Sequence, residues 1–204
     1  MTTEAIFHFG HGGNDPGKVV TMPAYNGQGE REIREKDLNL SVGLQAYFVA
    51  NRIGIRTTVS RTWDIYIPLI SGDPDKRTKV SITNAYNPLC SAELHFDSAP
   101  WAPEAKGLHV IHYPGSAKGQ LYAECIVEAA KMLGIPIHGD GVVDTKALGR
   151  KLVMVHKPKC AAVVIEGGFM TNPEDLKNIL DPYYQISLAE AWALGTKRYV
   201  EAVR

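Results

Sequence analysis

The 204-residue chain has no excess of charge of either sign: Lys plus Arg number 22, Asp plus Glu 22, and the formal net charge is 0. No global field is available to hold a polyphosphate backbone, so nucleic acid is not an expected partner. Cysteine is sparse as well. Cys90, Cys125 and Cys160 are odd in number, far apart and without a C-x-x-C pair, which argues against a disulfide framework or a zinc ribbon and predicts reduced, mostly buried thiols. Also missing is any apolar run near the roughly 18 residues of a membrane-spanning helix, so no membrane insertion is expected. Met1-Thr2-Thr3-Glu4 has neither the basic start nor the apolar stretch of a secretory signal, and synthesis in the cytoplasm follows as the expectation.

What is present is a globular composition, 45% hydrophobic and 22% charged, at a length that suits one domain spanning residues 1–204. The strand formers Ala5-Ile6-Phe7-His8-Phe9 run into the turn cluster Gly10 to Gly17. A long polar connection from Gly12 to Arg31 precedes a helix that begins around Glu35 to Asp37 and closes near Gly54. Strands are predicted over Ile55–Ser60, Cys90–Phe96, Leu108–Tyr113 and Ala161–Ile165. Helices are predicted over Asp75–Ala85 and Lys118–Leu133, from Asn172-Pro173, and from about Ser187 to the end. This alternation predicts an α/β fold: a single domain with a mostly parallel sheet flanked by helices on both faces.

Ligand crevices in open α/β sheets lie beyond the carboxyl ends of the strands. His11 lies just past the first strand, His95 at the end of another, and Glu166 directly after Val163-Val164-Ile165. A carboxylate at the start of the first helix would project from the same edge, most naturally Glu35, with Glu30 and Glu32 as rivals. Two imidazoles and one carboxylate form a His2Glu set that leaves a fourth tetrahedral position on Zn2+ open, as in catalytic rather than structural sites, and Glu166 is left to serve as base. No H-E-x-x-H helix is present. His8, a rival ligand, lies inside a strand and is read instead as packing or making a core hydrogen bond; His109 and His112, three apart on a strand, fall on opposite faces. His138 and His156 stand in turn-rich or helical surroundings and read as non-ligands, and Arg61 and Arg77 as surface or loop-tethering residues. A phosphate-loop reading of Gly10–Gly13 fails because no helix opens directly after the glycines.

Four segments occur in a distinctive order: His11-Gly12-Gly13-Asn14-Asp15-Pro16-Gly17, Glu35-Lys36-Asp37-Leu38-Asn39-Leu40, Glu93-Leu94-His95-Phe96-Asp97-Ser98 and Ile165-Glu166-Gly167-Gly168-Phe169-Met170-Thr171-Asn172. Together they resemble the zinc-dependent N-acetylmuramoyl-L-alanine amidases of the amidase_3 family over essentially the whole chain, and the Glu-Leu-His-Phe-Asp-Ser form looks more like phage endolysin catalytic domains than bacterial autolysins. The resemblance implies a twisted sheet with flanking helices, Zn2+ held by His11, Glu35 and His95, and Glu166 as the catalytic glutamate. Glu35 is preferred over Glu30 and Glu32 because Glu-x-x-x-Asn-Leu fits the motif.

The implied activity is hydrolysis of the amide between N-acetylmuramic acid and L-alanine in bacterial peptidoglycan, by a monomer without a separate wall-binding domain, acting on the cell wall after release. Two departures stand out: Phe7-His8-Phe9-Gly10 replaces the usual Asp-Pro-Gly, and Asp97-Ser98 replace the usual polar pair after the ligand. The competing functions are a non-catalytic peptidoglycan-binding module and a zinc carboxypeptidase acting within the stem peptide.

Overall fold

Alternation along the strands gives the central sheet one apolar face and one polar face. In β1 (Ala5–Phe9), Ala5, Phe7 and Phe9 enter the main core, while Ile6 and His8 are equally buried on the opposite side. The same division runs through β5 (Cys90–Asp97) and β8 (Ala161–Phe169). Ala92, Leu94, Val163 and Ile165 join the core, whereas Glu93, His95 and Glu166 face away from it. The computed structural model describes residues 2–24, 27–73 and 76–204.

With β4 (Thr57–Val59), β6 (Leu108–His112) and β7 (Ile137–Asp144), these strands form a six-stranded sheet in the order β4-β1-β5-β8-β6-β7. The first four are parallel; β6 runs antiparallel to β8, and β7 follows β6 in parallel. Against the apolar face lie α1 (Glu35–Arg52), α3 (Ala117–Met132) and α6 (Pro182–Val203), with α6 packed on both of the others. Phe7 stacks on Trp192 at 4.1 Å between ring centroids, and Phe9 meets the same indole edge-on at 6.3 Å. The other face is covered only in part, where Ile111 and Val164 pack with Met154 and Val155 of α4 (Val153–His156) and with Val80 of α2 (Lys79–Tyr86). α5 (Pro173–Ile179) follows β8 and packs against it and α6.

Helix boundaries follow their caps. Asn172 caps α5 with Pro173 in the first turn, as expected, and Thr78 forms a capping box with Ser81 on α2. The predicted start of α2 at Asp75 lies outside the described residues. α6 starts at Pro182 under an Asp181 cap rather than at Ser187, because capping begins a helix one turn before its apolar periodicity does.

Three further corrections bear on the site. The long connection after β1 contains an antiparallel hairpin, β2 (Val19–Pro23) and β3 (Glu30–Arg34), whose alternation is hidden because only Ile33 is buried. β7 was not foreseen, and it carries His138, so that histidine stands on a strand rather than in a turn. β8 continues past Ile165, which places Glu166 within the strand. Cys90 and Cys125 are buried and Cys160 partly so, all three as free thiols. Among the described residues no helix is long and apolar enough to cross a membrane.

Candidate metal centre and buried carboxyl

Gly10 carries the pairing of β1 one residue further, its N–H donating to the Leu94 carbonyl at 2.9 Å, and His11 then turns with a left-handed φ of 59°. The ring is held from outside: Nδ1 donates to Asp15 Oδ2 at 2.9 Å, leaving Nε2 3.1 Å from Glu35 Oε2. Glu35 is the first residue of α1, where a carboxylate complements the helix dipole. Its Oε2 accepts the Lys18 N–H at 2.8 Å and its Oε1 the Phe96 N–H at 3.2 Å. His95 Nδ1 lies 2.9 Å from the same Oε1.

Two nitrogens and one carboxylate oxygen therefore come together, all within 4.8 Å of one another. The donor set suits Zn2+, for which tetrahedral N and O ligands stand about 3.3 Å apart at the usual bond lengths of roughly 2.0–2.2 Å. The glycines around it are cut to the same shape. A Cβ on Gly10 would sit 2.5 Å from His95 Cε1, and one on Gly17, whose φ is 65°, would sit 2.5 Å from both Glu35 Oε2 and His11 Cδ2. Gly10→Ala is therefore expected to turn the His95 imidazole out of place and weaken Zn2+ binding by about 10–100-fold, as loss of an orienting contact does. Competition titration against a chromophoric chelator reads the loss, and an unchanged circular dichroism spectrum assigns it to the site.

The charges reinforce one another. Burial disfavours ionised Glu35, but hydrogen bonds from His11 and His95 more than offset it and hold the carboxyl well below its ordinary range. Burial likewise works against protonation of His95; the charge of Glu93 and the hydrogen bond with Glu35 prevail and raise it to about 10. Glu93 Oε1 stands 3.6 Å from His95 Nε2 and is paired in turn with the buried Lys79 ammonium. Glu166 behaves in the opposite way. It is register partner to His95, its Oε2 is buried with no hydrogen-bond partner among the described residues, and burial pushes its carboxyl up to about 8. Such a group accepts and returns a proton near neutral pH.

The structure thus brings His11, Glu35 and His95 into one cluster, with Glu166 beside it. Glu30 and Glu32 are exposed on β3 and take no part. His8 is fully buried against Thr83 Oγ1 at 2.8 Å, a core hydrogen bond. His112 donates to the Tyr113 carbonyl on the face opposite His109, and His156 bonds Thr145. Arg61 is not a surface residue: it is 3% exposed and donates to the carbonyls of Gly10 and Lys36, tying β1 to α1. Arg77 is exposed.

Sequence reasoning missed Asp15, Glu93 and Lys79. Asp15 could have been suspected from its place in the glycine turn four residues after His11, whereas the others are defined only by partners distant in sequence.

The sequence model of a family described as N-acetylmuramoyl-L-alanine amidase matches residues 6–198. Among solved structures, the N-acetylmuramoyl-L-alanine amidase AmiC2 of Nostoc punctiforme superposes with a TM-score of 0.77 at 23% identity, covering 98% of this chain and 97% of that one. An N-acetylmuramoyl-L-alanine amidase from Clostridium difficile 630 gives 0.76 at 23% identity, with 98% of each chain covered. The catalytic domain of CwlV from Bacillus (Paenibacillus) polymyxa var. colistinus gives 0.75 at 17% identity, with 98% of this chain and 99% of that chain covered. At these identities the three structures establish a shared fold. Comparison with the curated proteins returns no match.

Proposed function

Because this chain belongs to the N-acetylmuramoyl-L-alanine amidase family, we propose that it is a zinc-dependent hydrolase that cuts the amide joining N-acetylmuramic acid to L-alanine in bacterial peptidoglycan and so lyses the wall. The observation that carries this reading is the convergence of His11, Glu35 and His95 next to a buried carboxyl, Glu166, whose Oε2 has no hydrogen-bond partner among the described residues. Zinc bound there would polarise the carbonyl and make water nucleophilic near neutral pH.

The chain's own groups supply the rest. Asp15 and Glu93 set the orientation of the two imidazoles, and Arg61 and Lys79 fix the strand ends from which they project by bonding the carbonyls of Gly10 and Phe9. Glu166 takes a proton from the attacking water as the new C–O bond forms. It delivers that proton to the alanine nitrogen as the C–N bond breaks, leaving a free amine and a lactyl carboxylic acid, which loses its remaining proton to solvent.

The test is mass analysis of fragments released from defined peptidoglycan. Intact stem peptides beginning with a free L-alanine are expected, with release abolished by chelation and restored by Zn2+. Shortened stems still joined to muramic acid would mark a carboxypeptidase instead, and wall that binds the protein without any fragment released would mark a binding module.

A further inference from the structure

Beside the catalytic cluster the sheet carries a larger, unassigned cleft of about 790 Å³, whose lining includes Asp97, Trp101, His109, His138, Arg150 and Phe169. The smaller pocket over His11, His95 and Glu166 is also lined by Arg150, so this one side chain separates and joins the two. Its position is explained by the sheet. Gly10 follows the residue paired with Leu94, His95 pairs with Glu166, and Glu166 pairs with His109, so β1, β5, β8 and β6 present one row of residues on one face. The metal cradle occupies the β1–β5 end of that row, Glu166 the middle, and the cleft the β6–β7 end.

That order fixes which part of a substrate goes where, given the amidase reading above, on which this inference rests. The acyl carbon belongs at the cradle, and the amine that receives the proton belongs at Glu166. Everything attached to that amine therefore continues away from the cradle, toward His109 and the cleft.

Arg150 stands where the first residues of that amine-side chain must pass. Its side chain is 42% exposed, and its ion pair with Asp97 Oδ1 at 3.8 Å is too long for a hydrogen bond, so among the described residues the donor fork has no hydrogen-bond partner. Asp97 is itself engaged by the Ser98 N–H at 2.7 Å and stands 3.6 Å from His109 Nε2. Beyond Arg150 the charged lining is Glu104, Asp140 and Lys106, and Lys106 is already paired with Glu174 at 2.7 Å. Among the described residues that line the cleft, Arg150 is therefore the arginine or lysine left open to an anionic group, and it stands at the entrance.

We propose that the cleft receives the peptide on the amine side of the hydrolysed bond, and that Arg150 binds a free carboxylate on the residue following the alanine. The recognition is a charge-assisted, bidentate contact of the kind a carboxamide at the same position does not provide.

The experiment compares two soluble muramoyl peptides of equal length that differ only in whether the residue after alanine bears a free carboxylate or its carboxamide. With the wild-type protein, kcat/KM is expected to favour the carboxylate by about 10–100-fold, the range of a hydrogen bond to a charged partner. In Arg150→Gln the ratio is expected to fall to about one, whatever the absolute rates, and in Arg150→Lys to take an intermediate value. A wild-type ratio near one, or a ratio unchanged in Arg150→Gln, overturns the assignment while leaving the amidase reading intact. Hydrolysis of neither peptide by the wild-type protein overturns the amidase reading and this assignment with it.

Discussion

Glu166→Gln is expected to lower kcat by about 10²–10⁴-fold, the usual contribution of a positioned general acid–base, while the bound metal stays in place. Glutamine keeps the shape of the side chain but can neither take a proton from water nor return one to an amine. The carboxyl lies outside the His11–Glu35–His95 donor set, so metal content by elemental analysis is expected to match wild type. A variant that keeps wild-type turnover removes Glu166 from the mechanism, and a variant that loses its metal makes it a ligand.

The same substitution has a second signature, in the stability of the metal-free protein. Burial raises the Glu166 carboxyl from 4.5 to about 8, so between those values the unfolded chain releases a proton that the folded chain retains. The stability contributed by Glu166 is complete below pH 4.5, declines as pH rises through the interval by at most about 1.4 kcal/mol per pH unit, and is lost above about 8. The melting temperature of wild type minus that of Glu166→Gln should therefore fall from pH 4.5 to 8 and then level off. A flat difference would place the carboxyl in contact with water.

How much of this could be seen in the sequence depends on whether each signal was local. α1 and α3 were legible from apolar periodicity, and α5 from its Asn-Pro start, because caps and stripes are written in neighbouring residues. The three predicted ligands come together because each lies at a strand end or helix start on one edge of the sheet, which the topology rule anticipates. Glu35 could not be separated from Glu30 and Glu32 on periodicity, since the β3 strand that carries the latter two away has only Ile33 buried.

Other parts had no local signal at all. β7 mixes glycines and aspartates with valines, and its pairing with β6 is interrupted by an irregularity, so neither a continuous apolar run nor clean alternation marks it. Arg150 lies just past the turn that follows β7, and the cleft it lines also borders β6 and β7, which run against the other four strands, so nothing in the neighbouring residues marks it. Glu93 reads as a flaw in an apolar strand until Lys79, fourteen residues earlier in the chain, is brought against it.

That pair gives the largest expected effect on stability. Lys79 and Glu93 are 2% and 3% exposed, and the ammonium also donates to the Phe9 carbonyl at 3.1 Å. Lys79→Met removes the charge that holds Glu93 ionised and leaves a carboxylate in the sheet interior, beside His8, which burial keeps neutral. Breaking such a buried pair costs about 3–5 kcal/mol, which for a domain of this size lowers the melting temperature by on the order of 10 °C.

The double variant Lys79→Met/Glu93→Met has no unpaired charge and is expected to recover most of the loss, because well-packed apolar side chains replace a buried ion pair at little net cost. Recovery of stability should not restore the site. Glu93 is one of the two groups that steady the His95 imidazole, so Zn2+ affinity in the double variant is expected to stay about 10–100-fold below wild type. Thermal denaturation and metal titration on the single and double variants separate the two contributions, even if the single variant does not fold. A single variant within about 1 kcal/mol of wild type would mean that water reaches Glu93, since surface pairs are worth no more than that. A double variant with full metal affinity would mean that Glu35 alone fixes the imidazole, and that the pair at the strand end serves the fold and not the metal.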